Sequence, residues 1–298
     1  MFISMNKNVK KIAATAAAAC LLAGCGSYMK KYESKIVEMP PEDAFEQVEG
    51  VEYPQFQKYT YFSSTAGRDT NVNVLLPAGY DESKEYPVLY ILHGYWDNED
   101  WMARDIVNIP EMLTNLVNAG EAKEMIVVCP YIFCSDRLAW CTGMDFENNM
   151  AYDNFINDLT TDLMPFIEEN FSVAKGRENT AVTGFSMGGR ESLYIGFSHP
   201  EIFGYIGAVC PAPGTVSADG SGQLMSINDM KPSENQPYML LISAAQNDGV
   251  VGSIPMSYHE LMEEYDVEHI WHVMPSTGHD HTSVKPHLYN FFRVIFKV

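Results

Sequence analysis

A serine, an acid and a histidine can together hydrolyse an ester, and the serine of such a set is sharply marked in this chain. Val182-Thr183-Gly184-Phe185-Ser186-Met187-Gly188-Gly189-Arg190 sets Gly-x-Ser-x-Gly after an apolar run, Thr180 to Thr183. The stretch from Arg190 to His199 then reads as a helix stopped by Pro200. A strand-to-helix turn this tight holds its serine in strained backbone geometry with the hydroxyl exposed, which makes it a nucleophile elbow. Glycine is needed at 184 and 188 because side chains there would collide where strand and helix cross. At the start of a helix the dipole favours developing negative charge. The backbone N–H of Met187, the residue after the serine, is then one donor for a tetrahedral oxyanion.

Such a serine needs a histidine base and an acid that orients it, and strands must deliver both to the same edge. Phe56 to Ser63 and Asn71 to Leu76 are β-rich runs separated by turn-forming Thr65-Ala66-Gly67-Arg68-Asp69, which predicts an antiparallel hairpin. Pro87 to Leu92, Met125 to Cys129, Tyr205 to Cys210, Tyr238 to Ser243 and Ile270 to Met274 read as buried strands. Helices are expected over Phe155 to Asn170, near Met256 to Tyr265, and from about Pro286. This is an α/β-hydrolase order: a mostly parallel central sheet with an antiparallel N-terminal hairpin and helices on both faces.

In that fold the acid follows a late strand and the histidine follows the last one, at the carboxyl edge. Asp248, in Ala244-Ala245-Gln246-Asn247-Asp248-Gly249, is the natural acid, whereas Asp266 precedes the final strand and falls at the opposite edge. The loop Pro275-Ser276-Thr277-Gly278-His279-Asp280-His281 offers two histidines that spacing does not separate. His269 and His272 lie in or beside the strand and read as packing or surface residues, and His287 falls in the last helix. The His-Asp-His triplet lacks an apparent third ligand, no cysteine cluster has zinc-site spacing and no Gly-rich run resembles a phosphate loop. Neither a metal nor another cofactor is expected.

The chain has 298 residues, 46% of them hydrophobic, enough for one domain with a sizeable core. Its 39 acidic and 19 basic residues give a formal charge of −20, which argues against nucleic acid and against an electrostatic membrane footprint. Lys7, Lys10 and Lys11 precede an alanine-rich apolar run, Ile12 to Leu22, and Leu22-Ala23-Gly24-Cys25 resembles the lipobox of bacterial lipoproteins. Residues 1–24 are thus expected to be a lipoprotein signal peptide, with Cys25 lipidated as the sole membrane attachment and the protein extracytoplasmic. Residues 25–52 read as a tether and residues 53–298 as the domain.

From about Phe56 onward the chain resembles the esterase D-like α/β-hydrolases, and within them carbohydrate esterase family one, which holds feruloyl and acetylxylan esterases. The resemblance is carried by Leu92-His93-Gly94-Tyr95, Gly184-Phe185-Ser186-Met187-Gly188-Gly189, Asn247-Asp248 and Gly278-His279-Asp280. It implies Ser186 as nucleophile, Asp248 as acid and His279 rather than His281 as base, with the N–H of Tyr95 as second oxyanion donor. The family often has an aromatic residue after Gly-His-Asp, where this chain has His281.

The expected activity is hydrolysis of carboxylic esters through an acyl-enzyme, with release of ferulate or related hydroxycinnamates from plant cell-wall polysaccharide. An acetylxylan or other short-chain esterase, a siderophore or glutathione-thioester hydrolase, and a non-catalytic ligand-binding lipoprotein are the alternatives. Trp96, Tyr131, Phe133 and Trp140 fall in loops leaving the carboxyl edge, so they are expected to wall the acyl pocket beside Ser186 or else to pack a lid's own small core. Cys134 and Cys141 flank a short loop that an exported chain could close by a disulfide. Cys129 and Cys210 read as buried thiols.

Overall fold

Short apolar runs along the chain can be buried on both faces only if they lie side by side under helices. The computed structural model describes Met29, residues 31–232 and residues 234–297, so the expected signal peptide and Cys25 lie outside the described residues. The strands are β1 (Gln57–Ser63), β2 (Arg68–Leu75), β3 (Val88–Leu92), β4 (Ile126–Pro130), β5 (Thr180–Gly184), β6 (Tyr205–Val209), β7 (Val216–Ser217), β8 (Met225–Ser226), β9 (Met239–Ala245) and β10 (Ile270–Met274). Eight form one sheet in the order β1-β2-β4-β3-β5-β6-β9-β10, while β7 and β8 pair separately. β1 and β2 make the antiparallel hairpin, β2 joins β4 antiparallel, and the remaining neighbours are parallel.

The pleat sorts side chains between two cores. On β3, Leu89 and Ile91 enter one apolar cluster while Val88, Tyr90 and Leu92 enter the other, the period of two that a strand covered on both faces requires. The first cluster is closed by helices α1 (Ile109–Asn118) and α7 (His281–Val294). The second is closed by α2 (Phe146–Asp153), α3 (Phe155–Asp158), α4 (Met164–Asn170) and part of α5 (Met187–Ser198). α6 (Ile254–Glu264) packs with the outer half of α5 in a third cluster. Among the described residues no helix is long and apolar enough to cross a membrane.

Three expectations need correction. The helix expected over Phe155 to Asn170 is interrupted by a π-helical stretch, Leu159–Leu163, just before Pro165. Proline has no N–H to donate and its ring crowds the carbonyl four residues back, which a wider turn relieves. The last helix begins at His281 rather than near Pro286, because the Asp280 carboxylate caps it by accepting from the Thr282 N–H at 2.8 Å. Finally, the stretch read as a tether is packed against the domain from Tyr32 onward. Tyr32 is buried and its hydroxyl donates to the Lys297 carbonyl at 2.6 Å. Buried Asn290 bonds both backbone groups of Val37, at 2.9 and 2.8 Å. Charge and proline content suggested a free linker, but they are also what a strap lying on a surface needs where it faces water.

His287 of α7 is buried between Thr183 of β5 and Ser243 of β9, with ring nitrogens 2.8 Å from each hydroxyl. Burial pushes its imidazole from 6.5 down to about 3, and that of His93, just past β3, down to about 4. From about pH 6.5 down to about 4, the unfolded chain therefore binds protons that the native state refuses, and stability rises with pH through that window. The urea midpoint is expected to fall between about pH 7 and about pH 5. A midpoint that stays constant over that range would show that these rings are not held neutral.

Candidate active site

Gly184, Ser186 and Gly188 are placed by the close approach of the start of α5 to the ends of β5 and β3. A Cβ on Gly184 would lie 2.4 Å from the Gly188 carbonyl, and one on Gly188 would lie 2.3 Å from the Leu92 oxygen. Ser186 sits between them at φ 56°, ψ −113°, a conformation that costs a non-glycine residue roughly 1–3 kcal/mol. The turn is held in that state by its own backbone. The Ser186 N–H donates to the Val209 carbonyl at 3.0 Å, and the Ser186 carbonyl accepts from Arg190 and Ala212 at 3.0 and 2.9 Å.

The carboxyl ends of β9 and β10 bring two further side chains to this serine. His279 Nε2 lies 2.9 Å from Ser186 Oγ, and His279 Nδ1 lies 2.8 Å from Asp248 Oδ2. The other Asp248 oxygen accepts from the N–H groups of Val250 and Val251 at 2.9 and 3.0 Å. Burial alone would raise the Asp248 carboxyl, but these bonds and the His279 ring hold it below the usual carboxylate range. An ionised Asp248 accepts from Nδ1–H, leaving Nε2 as the lone pair that can take the serine proton. The ring of Phe185 lies 4.5 Å from that of His279 and stacks on Trp101 at 5.2 Å, which fixes the imidazole from the side. His281, the other candidate base, is the first residue of α7 and stands outside this chain of bonds, and Asp266 lies at the amino end of β10.

The loop after β3 carries a clamp that the sequence did not reveal. The Ile132 N–H donates to His93 Nε2 at 3.0 Å, so the proton of this neutral ring is on Nδ1, which donates to the Gly94 carbonyl at 2.7 Å. Beyond it, the Tyr95 hydroxyl bonds the Gly143 carbonyl and Asn149 Oδ1 at 2.9 and 3.0 Å, and the Trp96 N–H donates to the Tyr152 hydroxyl at 3.1 Å. No described residue accepts from the backbone N–H of Tyr95 or Met187. Both residues line a cleft of about 670 Å³ with Ser186. Its walls are mainly apolar, Met144, Phe146, Leu224 and Val250 among them, with Asn149, Asp153 and Arg190 as polar groups.

The Esterase family model matches residues 63–278. The chain belongs to this esterase family. It is 42% identical to a CE1 ferulic acid esterase of the anaerobic fungus Anaeromyces mucronatus, with a TM-score of 0.81 over 88% of this chain and 97% of that one. It is 31% identical over 185 residues to an endo-1,4-beta-xylanase/feruloyl esterase of Xylanibacter ruminicola, an alignment covering 59% of this chain and 24% of that protein. An S-formylglutathione hydrolase of Staphylococcus aureus, 17% identical with a TM-score of 0.59 over 82% of this chain and all of that one, shares the α/β-hydrolase fold.

The esterase departs from the expected acyl wall in its aromatic residues. Phe133 is buried in the core, edge-on to Tyr152 at 5.2 Å. Trp96, Tyr131 and Trp140 line a neighbouring cleft of about 410 Å³ instead of the serine cleft. The segment after β4 is long enough to turn inward at Phe133 and outward again at Trp140, which spacing alone does not show. The serine cleft is built instead from Met144, Phe146 and segments after β6 and β9. Cys134 and Cys141 are free thiols in the esterase, the first facing Ser63 Oγ at 3.7 Å and the second the Gly143 carbonyl at 3.6 Å. Buried Cys210, near Asp248 and His279, has its thiol pushed up to about 12 by burial. That proximity makes Cys210, Asp248 and His279 one of two groups with ligand-like spacing among the described residues, and the other, His259, Glu263 and His269, lies on α6 and before β10.

Replacing Asp248 by Asn is expected to lower turnover by about 10⁴-fold by putting an amide where the imidazole needs an anion, and Asp266→Asn should leave it unchanged. Steady-state kinetics of the two variants decides. Equal activities would remove Asp248 from the chemistry.

Proposed function

We propose that this esterase releases ferulate or related hydroxycinnamates from plant cell-wall polysaccharide through an acyl-enzyme on Ser186. The observation that carries the reading is the Ser186–His279–Asp248 chain of hydrogen bonds, whose serine lines a cleft of about 670 Å³ with mainly apolar walls. His279 Nε2 takes the Ser186 proton as Oγ attacks the ester carbonyl, and the N–H groups of Tyr95 and Met187 receive the oxyanion. The imidazolium, held by Asp248, then gives its proton to the leaving sugar oxygen. Water enters, loses a proton to His279 and releases the acid.

The cleft supports an aromatic acyl group. An acetyl group would leave most of it filled with water, whereas a methoxyphenol ring with a short unsaturated linker buries apolar surface against Met144, Phe146 and Leu224 at about 25 cal/mol per Å². Asn149, Gln223 and the Asp153–Arg190 ion pair are polar groups on its walls that can meet the phenol. The relatives named ferulic acid or feruloyl esterases support the same substrate class. In a panel of methyl ferulate, acetylated xylan and p-nitrophenyl acetate, kcat/KM is expected to be highest for methyl ferulate. A preference for acetylated xylan would overturn the acyl assignment while leaving the serine chemistry in place.

We further propose that the protein is a bacterial lipoprotein anchored through Cys25. The support is the basic, apolar and Leu22-Ala23-Gly24-Cys25 succession of the sequence, together with a strap that packs on the domain from Tyr32. Few residues separate lipid and domain, so the domain would sit near the membrane surface. Cys25→Ser is expected to move the protein from the membrane fraction to the soluble one. Retention in the membrane by that variant would refute the lipid anchor.

A further inference from the structure

We propose that the cleft beside the serine cleft binds the sugar chain bearing the ester, with Trp96 and Trp140 as stacking platforms, an inference that rests on the esterase reading above. Two of the four tryptophans in the chain line this one cleft. They are 54% and 68% exposed, so their rings contribute little to the core. Flat indole faces suit the C–H faces of a pyranose, and Arg68, Asp69, Asn71 and Asp97 on the same walls supply the donors and acceptors that paired hydroxyls require. The carboxylates disfavour a phosphate-bearing chain, and the polar walls disfavour a lipid.

The two clefts adjoin along two segments. Tyr95 lines the serine cleft and Trp96 the second one, with their rings 5.5 Å apart. Likewise Ala139, Trp140 and Cys141 line the second cleft, while Met144 and Phe146, a few residues on, line the first. An ester whose acyl group occupies the serine cleft therefore has its alcohol side next to the tryptophans.

Both platforms sit on backbone segments held by hydrogen bonds before a ligand arrives. Trp96 has φ 69°, a left-handed conformation that a bulky aromatic residue rarely adopts, and its N–H is tied to the Tyr152 hydroxyl. That conformation sends Tyr95 and Trp96 into different clefts. Arg68 donates to the carbonyls of Ser135 and Leu138, both at 2.6 Å, and so binds the approach to Trp140 to the start of β2. Loops held in this way lose less entropy on binding.

The test compares Trp140→Ala, Trp140→Tyr and the unaltered protein on methyl ferulate and on a feruloylated arabinoxylo-oligosaccharide. Trp140→Ala is expected to raise KM for the oligosaccharide ester by about 5-fold to 50-fold, with methyl ferulate changed by less than about twofold and Trp140→Tyr recovering most of the loss. Equal changes on the two esters, or none on either, would overturn the subsite. A readout independent of turnover is the indole fluorescence of Ser186→Ala titrated with unesterified xylotetraose. Saturable quenching that is lost in Ser186→Ala/Trp140→Ala supports the subsite, and an absence of saturable quenching refutes it. If the unaltered protein cleaves neither ester, the esterase reading fails while this titration still judges the cleft.

Discussion

The close crossing of β5 and α5 is the constraint on which the rest of the site depends. A Cβ at Gly184 would lie 2.4 Å from the Gly188 carbonyl and force α5 away from β5, and one at Gly188 would lie 2.3 Å from the Leu92 oxygen and force α5 away from the end of β3. Without that approach Ser186 could relax from its left-handed φ, and its hydroxyl would no longer meet an imidazole arriving from the end of β10. The strain is stored locally and offset by surroundings that are rigid for ordinary reasons: β3, β5 and β6 are buried along their whole length. Strain at a functional residue persists only where packing over-determines it.

Around this crossing the polar groups are arranged so that each ring has one protonation pattern available. His279 lies between a hydroxyl and an ionised carboxylate, and that carboxylate is held by two backbone N–H groups as well. His93 is wholly buried, receives an N–H and donates to a carbonyl, and so acts as a neutral fastener for the loop carrying Tyr95. The two histidines differ in environment rather than in chemistry: one has an anion beside it, the other has none.

Much of this was legible in the sequence because the signals were local or topological. Gly-x-Ser-x-Gly between a strand and a helix specifies a turn by sterics, and Asp248 and His279 follow strands whose apolar runs are unmistakable. The structure brings Ser186, Asp248 and His279 together, although spacing left His279 and His281 unseparated and only the family resemblance chose between them. What the sequence concealed depended on side-chain direction or on partners far along the chain. Phe133 and Trp140 are separated by seven positions in an irregular segment, so no period tells which turns inward. The strap from Tyr32 reads as a linker because its anchor points, Asn290 and the Lys297 carbonyl, lie more than 250 residues away in sequence. His93 was singled out only as part of the stretch that carries the resemblance, and the position of the Ile132 N–H reveals it as a clamp. Helix α7 was expected only from about Pro286, whereas Asp280 caps it and Pro286 lies inside it.

Labelling by a fluorophosphonate probe tests most directly whether the strained serine is a nucleophile activated by His279. Peptide mapping of the labelled protein should place the phosphonate on Ser186, with labelling abolished in Ser186→Ala and strongly slowed in His279→Ala. A protein that does not react, or an adduct carried by another residue, would contradict the account.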